Sequence, residues 1–125
     1  MRMILIPAAL LIAAAPGFAG APKDDIPAAT PTGKALDCVS QHTIRETRVR
    51  SDKVIDFIAS GGKVYRNELP YSCPGLAVQG KFLHKTSTDD YCSVDTITVL
   101  EDPGLSRGAT CGLGKFQPVT LDKTH

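Results

Sequence analysis

The chain is short of net charge. Its 14 Lys and Arg stand against 13 Asp and Glu, for a formal net charge of +1, and no stretch concentrates either sign. Nucleic-acid binders gather positive charge to displace counterions from phosphates, and binding to anionic lipid asks for a polybasic face. Neither footprint is present. Long helical periods are missing too, because no segment repeats apolar residues at the 3.6-residue spacing over several turns. Zinc sites built on cysteine usually contain a pair two to four residues apart. Here no two of Cys38, Cys73, Cys92 and Cys111 are close in sequence. Histidine is limited to His42, His84 and His125, and no nucleophile elbow accompanies them.

The N-terminus has a recognisable three-part pattern. Met1-Arg2 is a short positive region, Ile4 to Ala15 is apolar, and Gly17-Phe18-Ala19 supplies small residues for a peptidase. This predicts a secretory signal peptide over residues 1–19, cut after Ala19. Its apolar core is shorter than the roughly 20 residues that a membrane span needs, so no span is expected after cleavage. No cysteine follows until Cys38, which argues against a lipid-anchored cysteine. The sequence thus predicts a periplasmic or secreted protein. Residues 20–35 (GAPKDDIPAATPTGKA) hold little to bury and read as a disordered tether. Residues 36–120 read as a single β-rich domain, and 121–125 as a frayed tail.

Lys53 to Leu76 carries the clearest signal within the domain. Val54 to Ala59 (VIDFIA) is β-branched and aromatic. Ser60-Gly61-Gly62 interrupts it, and Lys63 to Leu69 resumes it. A tight hairpin needs positive φ, which glycine reaches at no steric cost. A two-residue Gly61-Gly62 loop would set Phe57 opposite Arg66. A three-residue loop from Ser60 would set Phe57 opposite Tyr65 and Asp56 opposite Arg66, and cross-strand energetics favour this second register. Both faces carry apolar residues, as in a small barrel or sandwich. Asp56, Arg66 and Glu68 read as a cross-strand charge cluster.

Around this hairpin, Val39 to Ile44 reads as a short N-terminal helical turn with Ser40 as its cap. Thr43 to Arg50 reads as an edge-like strand. Pro70 to Gly75 is a rigid loop. Strands are expected at Val78 to Thr86, at Tyr91 to Glu101 and at Thr110 to Thr120. Gly112 and Gly114 in the last one suggest a bulge or a close backbone approach. The fold class is mainly β: a small antiparallel sheet or barrel-like meander of five to six strands. The ordered set Cys38, GGKVYRNELP, CPGL, YCSVDTITVL and CGLGKF resembles a family of small secreted bacterial proteins of unknown function. That resemblance spans roughly residues 37–118 and implies a signal peptide and one cysteine-containing domain. It implies no activity and no catalytic residues.

An even number of cysteines behind an export signal predicts two disulfides. In a simple up-and-down meander, Cys73 and Cys92 lie at opposite ends of the fourth strand. Eight strand residues span roughly 26 Å, whereas bridged Cα atoms come within about 7 Å. The meander therefore predicts Cys38–Cys92 and Cys73–Cys111. A long crossover would undo this deduction.

No residue is assigned a catalytic, cofactor or metal-binding role. Ser87, His84 and Asp89 or Asp90 can be drawn as a triad, but no supporting pattern exists. Asp89, Asp90 and Asp95 lack the alternating spacing of an EF-hand and suit turn capping better. Tyr65, Tyr71 and Tyr91 would make a contact surface if two lay exposed together. The alternative is that they fill the edges of a small core. Three functional readings follow. The first is a non-enzymatic module binding an envelope or secreted protein, and the second an inhibitor of an exported lysozyme or protease. The third and least favoured is a small hydrolase. An inhibitor should carry a rigid loop with a projecting side chain, for which Pro70 to Leu76, held by Cys73, is the candidate.

Overall fold

The structure is a computed structural model that describes residues 26–86 and 88–122. The proposed signal peptide, the tether up to residue 25 and the last three residues of the tail lie outside these. Within them the chain forms strands β1 (Ala29–Pro31), β2 (Cys38–Ser40), β3 (Ile44–Val49), β4 (Val54–Ala59) and β5 (Val64–Glu68). A single-turn helix α1 (Leu76–Gln79) follows. The remaining strands are β6 (Phe82–Lys85), β7 (Asp90–Cys92), β8 (Thr96–Glu101), β9 (Ser106–Gly112) and β10 (Phe116–Leu121). Every pairing is antiparallel. They build an open five-stranded sheet in the order β1-β10-β5-β4-β3, a three-stranded sheet β6-β8-β9 and a small ladder β2-β7. The fold is mainly β, as expected, and among the described residues no barrel closes.

The hairpin β4–β5 adopts the register with the longer loop. Asp56 faces Arg66 and Phe57 faces Tyr65. Gly61 and Gly62 both take φ 84°, a left-handed conformation that a side chain would oppose. Ile55 and Phe57 join Ile97 and Val99 of β8, Leu69, Leu76, Leu113 and Phe116 in one buried core. The core thus lies between the two larger sheets, and Phe57 and Phe116 meet edge to face at 5.1 Å, a favoured aromatic geometry.

Several expected elements have different limits. The strand expected from Val78 begins only at Phe82, because Leu76–Gln79 winds into α1 between two left-handed glycines, Gly75 and Gly80. The Tyr91 to Glu101 strand divides at Asp95, whose Oδ2 accepts the Cys92 N–H at 2.8 Å and holds a turn. The Thr110 to Thr120 strand divides as well, into β9 and β10. Gly114 between them runs so close to the Glu68 carbonyl that a Cβ would strike it, whereas nothing crowds Gly112. The helical turn at Gln41–Thr43 is present, but Ser40 gives it no side-chain cap. Thr43 Oγ1 instead donates to the Ser40 carbonyl at 2.8 Å.

The stretch read as a disordered tether needs correction. Ala29–Pro31 pairs with β10, and Thr32 N–H donates to the Pro118 carbonyl at 2.9 Å. This edge pairing is made by main-chain groups, so side-chain composition does not betray it, and Pro31 is tolerated on an edge. Leu121, assigned to the tail, pairs with Ala29 inside β10.

The disulfides are Cys38–Cys92 and Cys73–Cys111, the expected pairs reached by another route. The strands do not form one meander: β10 returns beside β5, and β6, β8 and β9 form their own sheet. Cys38 and Cys92 are bridged because β2 and β7 set them directly opposite each other.

Candidate functional site

Pro70 to Gly75 joins β5 to α1 and is pinned at several points. The Leu69 N–H donates to the Lys53 carbonyl and the Cys73 N–H to the Asp52 carbonyl, each at 2.8 Å. Asp52 acts twice, since its Oδ1 also accepts the Ala77 N–H at 2.8 Å. Cys73 is fully buried and bonded to Cys111 on β9, and Leu76 is buried in the core. Two apolar side chains, one on this segment and one on the helix α1 that follows it, are exposed to solvent. Tyr71 is 81% exposed and Val78 is 77% exposed. A large side chain displayed on fixed backbone loses little conformational freedom on binding, which is what a contact surface gains from rigidity.

The three tyrosines do not form one surface. Tyr65 packs against the core, opposite Phe57, with the Lys63 ammonium 5.8 Å from its ring centre. Tyr91 lies 4.9 Å from Phe57, edge to face, and 4.2 Å from the His84 ring. Burial pushes the Tyr91 phenol up from its ordinary range. Tyr71 alone stands free.

His84 is half-buried on β6, backbone and side chain taken together. Its Nε2 lies 2.9 Å from Asp95 Oδ2, and both side chains are nearly buried. Asp90 is in β7, Asp89 stands 4.0 Å from the exposed His42, and Ser87 and His125 lie outside the described residues. Among the described residues the His84 ring bonds to Asp95 alone. The pair therefore anchors the β7–β8 turn beside Cys92. A cavity of about 400 Å³, lined in part by Gln41, Thr47, Phe82, His84 and Tyr91, opens beside it.

The charge cluster is centred on Asp56 and Arg66 as expected, but among the described residues its third member is Arg50 and Glu68 makes no ion pair in it. Asp56 is fully buried and accepts hydrogen bonds from Arg66 Nε at 2.8 Å, Arg66 Nη2 at 2.9 Å and Arg50 Nε at 2.9 Å. Those bonds raise the Arg66 guanidinium above its already high range. Sequence reasoning missed Arg50 because it lies just beyond the end of β3, two residues past Arg48, which stands opposite Asp56. With its acceptor sites engaged, Asp56 is a structural group and not half of an acid–base pair.

Among the described residues no three His, Cys, Asp or Glu side chains gather to hold a metal ion, and no helix is long and apolar enough to cross a membrane. Two disulfides are compatible with an exported protein. No family model matches the chain, no curated protein matches it, and no solved structure does.

Proposed function

We propose that this protein is an exported, non-enzymatic binding domain whose segment Pro70 to Val78 contacts a partner protein of the envelope or the surrounding medium. The observation that carries this reading is the display of Tyr71 on a backbone braced by a disulfide through the buried Cys73. Export rests on the charge and apolar pattern of residues 1–19. Tyrosine is enriched at protein interfaces because it combines a large apolar ring with a polar tip. The same bracing favours a second reading, inhibition of an exported lysozyme or protease, since an inhibitor loop must resist deformation in the enzyme's cleft.

The test uses a photo-crosslinking residue at position 71 and, as a control, at exposed Leu105 in the β8–β9 turn. Each protein is mixed with envelope extract from the source cells. One discrete adduct from position 71, absent from position 105, is expected. Excess wild-type protein should suppress it and Tyr71→Ala should not. If Tyr71→Ala competes as well as wild type, the loop is not the contact. An adduct with an enzyme whose turnover falls in stoichiometric proportion identifies inhibition.

A further inference from the structure

The two disulfides sit in different surroundings. Cys73 is fully buried, belongs to the central core and ties α1's approach to β9. Cys38 is solvent-exposed and Cys92 half-buried. Their bond closes the β2–β7 ladder, which is only three residue pairs long and belongs to neither larger sheet. Exchange needs an attacking thiolate to reach one sulfur, so access decides which disulfide reacts. Exposed disulfides are the labile ones in proteins that also hold a buried one.

We infer that Cys38 is a thiol-exchange site and that Cys38–Cys92 is a reducible clasp, opened by a dithiol oxidoreductase while Cys73–Cys111 persists. In the first step the reductant's thiolate attacks Cys38 Sγ. A mixed disulfide forms at Cys38, the Cys38–Cys92 bond breaks, and Cys92 leaves as a thiolate that takes up a proton. In the second step the reductant's other thiol attacks the mixed disulfide and releases Cys38 as a thiol. Two electrons pass to this protein and the reductant ends as a disulfide.

The consequences of opening are local. Without the bond, β2 and β7 are joined by short-range main-chain bonds, including Ser93 N–H to the Asp37 carbonyl and Gln41 N–H to the Asp89 carbonyl. Tyr91, which pairs with Val39 in that ladder and covers one edge of Phe57, gains freedom to move. From the ladder only Val39 belongs to the buried core and Tyr91 packs against it, while Ile55, Leu76, Phe116 and the other buried members lie outside the ladder, so most of the core stays closed.

The test applies graded dithiothreitol to the folded, oxidised protein under native conditions. Samples are quenched in acid, alkylated and mapped by mass spectrometry. Cys38 and Cys92 should be labelled at least about tenfold faster than Cys73 and Cys111, given the dependence of exchange on access. Far-UV circular dichroism should stay unchanged while the first pair reacts. A parallel run with reduced glutathione should trap the adduct on Cys38. Equal labelling of both pairs, earlier labelling of Cys73 and Cys111, an adduct on Cys92 in place of Cys38, or reduction that accompanies global unfolding would each overturn the inference.

Discussion

Replacing Asp56 with Asn tests the energetics of the sheet's buried charge cluster. The side chain keeps its shape but offers one oxygen and one NH₂ group where the carboxylate offered two oxygens. If the NH₂ occupies the Oδ1 position, it confronts Arg66 Nε and one hydrogen bond is lost. If it occupies the Oδ2 position, it confronts Arg66 Nη2 and Arg50 Nε, and two are lost. Either way two guanidiniums, with only 12% and 16% of their side chains exposed, lose the anion between them. Removing one partner of a buried ion pair costs about 3–5 kcal/mol, and the residual exposure of both arginines points to the lower end. Total stability of a small domain is about 5–15 kcal/mol, so the loss is large. With a urea slope of about 1.5 kcal/mol/M, the unfolding midpoint should fall by about 2 M, read by circular dichroism. A triple variant, Asp56→Asn with Arg50→Met and Arg66→Met, should recover most of this by removing the stranded charges. A single-variant midpoint within about 0.3 M of wild type, at unchanged slope, would refute the reasoning. So would a triple variant weaker than the single one.

Other outcomes follow from the same structure. Gly114→Ala should abolish stable folding, because its Cβ strikes the Glu68 carbonyl, while Gly112→Ala meets nothing and should leave the urea midpoint close to wild type. Asn67→Ala should cost about 1–3 kcal/mol for each Gly114 backbone group it leaves unpaired, since the Asn67 amide binds both Gly114 N–H and C=O. Burial raises the Tyr91 phenol, so above its ordinary value of about 10 the unfolded chain releases a proton that the folded one keeps. Stability should therefore fall as pH rises through that range, and Tyr91→Phe should remove the last component of an ultraviolet phenolate titration. Cys73→Ala with Cys111→Ala should cost about 4 kcal/mol from loop entropy over the 38-residue separation, measured by urea unfolding. Tyr71 is 81% exposed in the wild type, so Tyr71→Ala should leave the melting temperature unchanged while failing to compete with wild type for the partner.

Much of the fold was legible because local chemistry and global pairing agree. The hairpin register followed from setting Asp56 against Arg66 and Phe57 against Tyr65, an argument complete within one short stretch. What stayed hidden depends on residues far apart in sequence. β1 forms only because the last strand lies beside it, and nothing in Ala29-Thr30-Pro31 announces that. Ser106-Arg107-Gly108-Ala109 lacks apolar alternation, so the start of β9 gave no signal. The cysteine pairing was reached through a strand order that the molecule does not have. It survives because both orders bring the same cysteines together. In the candidate site, the bracing of Pro70 to Leu76 by Cys73 was readable, but the support from Asp52 was not. The His84–Asp95 contact arises from β6 lying beside β8, a neighbourhood that spacing alone does not reveal.

The pairing of β1 with β10 has a practical corollary. Ala28 and Asp122 are hydrogen-bonded neighbours, and both lie at the end of the sheet marked by Gly61 and Gly62. Tyr71 follows β5 at the opposite pole. A surface tag or fusion partner joined through either flank would thus hang from one pole and leave the other unobstructed. Immobilising the protein by its C-terminal flank for binding measurements should orient every copy with Tyr71 facing the analyte.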